Sequence, residues 1–321
     1  MSITPDAFLT EADTVVLENL LQDIATQDVD GSKNNNVSEK LDGDEKVVRV
    51  LQDMNDPKSQ SFTPTIFTGY DDKHLNPTLR KYIVEPYASL ARHVVRNPTD
   101  VVFLTHLILY HVTLLSSAYI LYNHFTWYHG VFHFLMQLFY AGAFTLLLHN
   151  HIHNNGILKK KFFLIDYTFP FVIGPLMGHT WNSYYFHHVK HHHVEGNGPD
   201  DLSSTVRYQR DQLFDFLCYL GRFLAFVWIE LPIYFFRKGK YGLSAKAFVS
   251  ETSSLLAIAL ITWYNWRPAL MTLCLPLFQM RVGMMIGNWG QHALVDEVEP
   301  DSDFRSSITL IDVPVGSLAQ T

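Results

Sequence analysis

Residues 101–122 and 127–148 are apolar runs separated by a short turn, and each is long enough to cross a bilayer, which takes about 20 helical residues. Inside hydrocarbon every backbone N–H and C=O must be paired within the chain, so runs of this length are expected to be helices. Three more apolar stretches follow, at 213–236, 247–264 and 268–289. The pattern predicts an all-α fold seated in a membrane. Composition supports this when taken by region. Charged residues are 17% of the chain, below the quarter or so usual for soluble domains. The net charge of −7 comes largely from residues 1–95, which are polar, acidic and rich in Asn, Ser and Asp. No basic stripe stands out, which argues against a nucleic-acid partner.

Residues 1–95 are expected to form an acidic, partly disordered cytosolic arm, since MSITPDAFLTEADTV lacks the basic and apolar regions of a secretory signal. Within the arm, 15–24 and 46–54 are amphipathic at helical spacing. The acidic cluster at 42–45 lacks the alternating oxygen ligands of a calcium loop and reads as a solvated loop. Residues 62–98 mix aromatic and basic side chains with Pro77, Pro86 and Pro98, and are expected to lie along the membrane surface. Residues 96–312 then form the membrane domain, and 313–321 an atypical tail. Cys218 and Cys274 lie among apolar neighbours and read as packed thiols.

The second apolar run ends in HNHIHNNG, followed by Lys159, Lys160 and Lys161; lysine-rich flanks favour the cytosol. Residues 162–178 are apolar but short and carry Pro170, Gly174 and Pro175, as a re-entrant or interfacial segment would. Residues 213–236 contain Asp215, Arg222, Glu230 and Pro232, and charges facing lipid are costly. This stretch is therefore expected at the surface, with the last two stretches forming a hairpin. The sum is a bundle of about four transmembrane helices under a cytosolic, histidine-rich cap. Arg281, inside the last stretch, requires a partner.

Nine of the 17 histidines fall between His149 and His193, a density that demands a cause. In the first cluster, His149-Asn150-His151-Ile152-His153, the first and last histidines share a helical face while His151 points elsewhere. In the second, 187–193, α-helical spacing permits two sets, His188 with His191 and His192, or His187 with His191 and His192. Neutral imidazole is the usual nitrogen ligand of Zn, Cu and Fe. Five to seven imidazoles exceed what one zinc takes and suit two metals side by side. Glu195, Asp200 and Asp201 are placed to accept the second ring N–H of ligating histidines. His292, in GNWGQH at 287–292, returns to the same face as a ligand or a ligand's support. His106, His111, His124, His129 and His133 read as packing or interfacial residues; the alternative, bis-histidine haem, lacks a matching pair at similar depth.

His149/His153 in HxxxH, His188/His191/His192 in HxxHH with the trailing His193, the run HHVKHHHVEGNGPDDLSST at 187–205 and GNWGQHALVD at 287–296 together resemble the membrane fatty acid desaturase and hydroxylase superfamily. The resemblance covers roughly residues 100–312. It implies a helical membrane fold, two iron ions, molecular oxygen as co-substrate, and the endoplasmic reticulum with the histidines facing the cytosol. It also implies a third HxxHH box after the last span. No histidine follows His292, so the chain is expected to be C-terminally truncated and its di-iron site incomplete. Residues 1–95 hold only His74 and His93 and no HPGG, so a b-type cytochrome or ferredoxin with its reductase is expected to act in trans.

The expected function is an iron- and oxygen-dependent oxidoreductase acting on a long-chain acyl lipid or acyl-CoA, most plausibly a desaturase. His149, His153, His188, His191 and His192 are the principal expected ligands, with His187, His193 and His292 as further candidates. The rivals are a zinc-dependent membrane hydrolase, which needs no redox partner, and a non-catalytic truncated homologue that binds lipid or an intact partner.

Overall fold

The computed structural model describes residues 9–29, 37–68 and 75–292. Among them all regular structure is helical, apart from an isolated antiparallel bridge between Val95 and Leu158. The tail at 313–321, His74 and the last four residues of GNWGQHALVD lie outside the described residues. The chain divides into two compact units, with the boundary at His106 and Ile157–Lys161 assigned to the first.

In the first unit, α1 (Glu11–Val29) and α2 (Val37–Asn55) extend well beyond the amphipathic stretches at 15–24 and 46–54. The acidic cluster at 42–45, expected as a loop, lies within α2. Its Asp and Glu neighbours are Lys, Leu and Val, and a single Gly43 costs only about 1 kcal/mol in a helix. Helix α3 spans 77–94 with a π-wound turn at Arg80–Val84. It starts at Pro77, where the Asn76 side chain accepts the Thr78 N–H at 2.9 Å. Its exposed residues include Tyr82, Ile83 and Leu90. The Lys159 and Arg96 backbone N–H groups donate to Val94 and Ile157 carbonyls, tying 157–159 to the end of α3.

Among the described residues five helices are long and apolar enough to cross a membrane: α4 (Pro98–Asn123), α5 (Trp127–Asn154), α8 (Leu213–Arg237), α9 (Tyr241–Tyr264) and α10 (Trp266–Gln291). Their properties are those of an integral membrane protein. Between α5 and α8 lie α6 (Phe163–Leu176) and α7 (185–195). At 14 residues, α6 reaches about 21 Å, short of the 30 Å hydrocarbon layer. Leu213–Arg237, expected at the surface, meets the length and hydropathy of a span like the other four.

Helix α5 begins where Thr126 Oγ1 accepts the His129 N–H and ends at Asn155 in the left-handed conformation. Its inner face buries His133, Gln137, Tyr140, Phe144 and Leu148, while Phe132, Leu135 and Phe139 stand exposed. A row of exposed large apolar side chains suits lipid rather than water. Tyr110 of α4 packs against Tyr140 and Phe144 at 5.2 and 5.6 Å between ring centroids. Ala118, Leu176, Ile258 and Leu273 form one buried cluster; Phe186, Leu231, Tyr234, Phe235 and Ala247 form another beneath α7.

Arg281 has the partner its position requires. Its guanidinium pairs with buried Glu251 of α9, whose other carboxylate oxygen accepts from Thr180 and Ser183 hydroxyls. Ser250 and Ser254 grip the Trp181 backbone from the same helix face. Gly178 (φ +85°) lies so close to the α10 backbone that a Cβ there would overlap the Pro276 carbonyl oxygen. The turn at 178–183, which leads into the second histidine cluster, is thereby held by α9 and α10 together.

Candidate metal centre

Because α5 stays helical through Asn154, His149 and His153 stack one turn apart with ring centroids at 4.6 Å. His151 leaves that face. Its Nε2–H donates to the Asp166 carbonyl at 2.9 Å, and its ring meets Phe169 edge-on.

The second cluster is wound differently from an α-helix. Residues 185–192 follow a π-helical path, and the His193 N–H bonds to the His188 carbonyl five residues back. An α-turn would align His188 with His191 and His192; the wider turn aligns it with His193, Nε2 to Nε2 at 2.9 Å. His188 lies 4.6 Å from His149 and His193 4.9 Å from His153, ring to ring. Four imidazoles from two distant stretches thus converge, His149, His153, His188 and His193, with ligand atoms within 4.8 Å of one another. This group can hold a metal ion.

A second group adjoins it. Ligand atoms of His187, His191 and Asp201 also lie within 4.8 Å of one another. Asp201 is fully buried and already saturated. One oxygen accepts from the Ser203 N–H and hydroxyl, both at 2.8 Å, the other from His192 Nδ1 at 2.6 Å and the Asn197 N–H at 3.2 Å. His191 Nε2 accepts the Leu202 N–H at 2.9 Å. Such a carboxylate serves better to orient imidazoles than to bind a metal itself. His192, held by Asp201 through Nδ1, presents Nε2 outward and stands 5.7 Å from His188, 6.3 Å from His187 and 5.8 Å from His292 by ring centroids. His187 Nε2 and His191 Nδ1 are buried without a hydrogen-bond partner.

Electrostatics keep His187 and His188 in the form that binds metal. Burial, with help from His191, pushes His187 down to about 3. Burial and the surrounding imidazoles, His149 first, hold His188 well below the usual histidine range. Burial alone would raise the Asp201 carboxyl, but the neighbouring imidazoles, with the His192 hydrogen bond, outweigh it and keep the group ionised. Neutral rings beside a fixed carboxylate are what cation binding requires.

No family model, curated protein or solved structure matches the chain. The geometry therefore stands by itself.

Of the expected carboxylates, only Asp201 touches histidines. Glu195 accepts from the Tyr234 hydroxyl, and both Glu195 and Asp200 face Lys238, at 3.2 and 2.9 Å. Several contributors lie outside the expected set. Tyr184 stacks on His188 at 4.9 Å and places its hydroxyl 3.3 Å from His149 Nδ1, leaving Nε2 for a ligand role; its position four residues before His188 is the sequence signal for it. Phe223 and Tyr234 of α8 cover His187 and His191, at 5.2 and 4.2 Å, and no sequence pattern marks them. His179 is buried against Phe144 and Tyr184. The remaining histidines in the first spans have local partners: His106 bonds Thr68, His111 donates to the Leu107 carbonyl, and His129 and His133 share Ser117.

Proposed function

We propose that this chain is a membrane oxidoreductase of the fatty acid desaturase and hydroxylase type, using two irons and molecular oxygen on a long acyl chain, with desaturation the favoured outcome. The observation that carries the reading is the meeting of His149 and His153 with His188 and His193 in one nitrogen-rich cluster that can hold a cation. The His188 and His193 Nε2 atoms, 2.9 Å apart, are close enough to serve one ion. His149, His153, His188 and His193 would hold the first iron. His187 and His192, with His292 beside His192, would hold the second, with Asp201 and Tyr184 fixing ring orientation and His191 packed beneath. Iron bound there would supply the oxygen chemistry needed to remove hydrogen from an unactivated C–H bond. The protein's own part is to keep the imidazoles neutral and aligned, and to shelter an acyl chain between apolar helices.

The arrangement of α8 supports a four-span topology. The turns after α4 and α9 meet at one end, where Trp127 and Trp266 lie 6.0 Å apart and Tyr128, Trp263 and Tyr264 stand exposed, as in an interfacial aromatic belt. Both hairpins therefore open towards the histidines. Contacts of α8 with the histidine-bearing segment run from Phe223–His187, through Tyr234–Glu195, to Lys238–Asp200. Those contacts span about 22 Å of helix, which supports a helix lying along the cap. The lysines at 238 and 240 support a cytosolic placement of the histidine face; on the same reading the membrane is the endoplasmic reticulum, and an external cytochrome or ferredoxin delivers electrons.

Expression in a desaturase-deficient host, followed by lipid profiling, tests the activity. New unsaturated or hydroxylated acyl chains that vanish in His188→Ala support the reading. Zinc in place of iron, with lipid hydrolysis, favours a metallohydrolase.

A further inference from the structure

On the inner face of α5, well away from the metal groups, His133 and Gln137 are both fully buried and stand one helical turn apart. His133 Nδ1 lies 2.9 Å from the Ser117 hydroxyl, which is also 2.8 Å from His129 Nε2. The Gln137 amide N–H donates to Gln279 Oε1 at 3.2 Å. That leaves His133 Nε2 and Gln137 Oε1 buried without a hydrogen-bond partner. Rotating the Gln137 amide only exchanges which of its two ends is unpaired. Two orphaned polar atoms within one turn, between helices that face hydrocarbon, are each destabilising unless something pairs them.

We infer that His133 and Gln137 hold a bound hydroxyl oxygen inside the bundle. The Ser117 hydroxyl can donate to only one of its two imidazoles. If it donates to His133, Nε2 carries the proton, and one hydroxyl accepts from Nε2–H and donates to Gln137 Oε1. If it donates to His129, Nε2 and Oε1 both accept, and a water molecule donates to both. A plain methylene chain satisfies neither arrangement. The oxygen thus has two possible sources: a water molecule, or a hydroxylated acyl chain. Only the second rests on the acyl-chain reading above. Helical rise puts Gln137 about 18 Å from His149 along α5, so a chain held at the histidines would reach this polar turn with its distal part. The site would then select for an oxygen at that depth or stop a plain chain short of it.

The test needs neither metal nor turnover. Full-length protein labelled with ring-¹⁵N histidine is placed in nanodiscs, and the His133 Nε2 resonance, assigned by its loss in His133→Gln, is read with stearic acid or an ω-hydroxylated C18 acid added. Should His133→Gln fail to fold, Ser117→Ala assigns the signal by shifting the His129 and His133 resonances together. A hydrogen-bonded Nε2 in both lipids, lost in Gln137→Leu, identifies water. Hydrogen bonding with the hydroxylated acid alone identifies the lipid, with tighter binding of that acid by about threefold to tenfold. An Nε2 resonance free of hydrogen bonding in both lipids overturns the inference, and leaves the proposed oxidoreductase untouched.

Discussion

Asp201 accepts a hydrogen bond from His192 Nδ1 at 2.6 Å while fully buried, and this contact sets which nitrogen His192 offers to the cluster. The same carboxylate caps the turn at 197–203 through the Asn197 and Ser203 N–H groups. One side chain therefore couples loop shape to imidazole orientation.

Asp201→Asn is expected to weaken metal binding about 10- to 100-fold, the usual cost of losing a group that orients a ligating histidine. Metal titration of purified protein checks this, with circular dichroism confirming retained helix. An unchanged affinity would show that Asp201 only shapes the loop.

The Glu251–Arg281 pair predicts an asymmetric mutational pattern. Glu251→Leu strands a buried guanidinium and should cost about 3–5 kcal/mol. Glu251→Leu with Arg281→Met removes both charges and should recover most of that loss. Thermal denaturation in detergent measures both variants.

His179 makes stability pH-dependent. Burial, assisted by Arg281, pushes its ring down to about 4 from the ordinary 6.5. In the unfolded chain the ring takes up a proton as pH falls below 6.5, while the folded ring stays neutral until about 4. Stability from this group is therefore unaffected above 6.5 and is lost as pH falls between those values, by about 3 kcal/mol in all. His179→Leu should remove about 3 kcal/mol of the stability lost in that part of the pH–stability curve, read from denaturation midpoints, and leave the share of His187 and His188.

The legible and illegible parts of the site differ for a physical reason. His149 and His153 could be paired from sequence because α5 keeps its 3.6-residue period to Asn154. His188 and His193 could not, because no residue pattern announces a π-turn, and in a run of five histidines within seven positions every register finds a partner. His193 and Tyr184 thus gained importance from winding, while His191 was turned inward. Arg281 advertised the need for a partner, but Glu251 is 30 residues away on another helix. The α8 stretch shows the converse: Arg222 and Glu230 pair with each other within it and Lys238 just past its end meets Asp200, so its charges have partners and its length and hydropathy are those of a span.

Topology gives a further prediction. With the native cysteines replaced by serine, single cysteines at Gln209 and Gly239 should react with an impermeant thiol reagent from the same membrane face, and one at Asn265 from the other. Labelling of Gln209 and Gly239 from opposite faces would make α8 a transmembrane helix.

The most direct measurement is iron bound per chain in purified protein, wild type against His188→Ala and His151→Ala. The account predicts at least one tightly held iron per chain in the wild type, its loss in His188→Ala, and its retention in His151→Ala, whose ring faces Asp166 instead. A chain that binds no metal after iron loading, or that keeps its iron without His188, would contradict it.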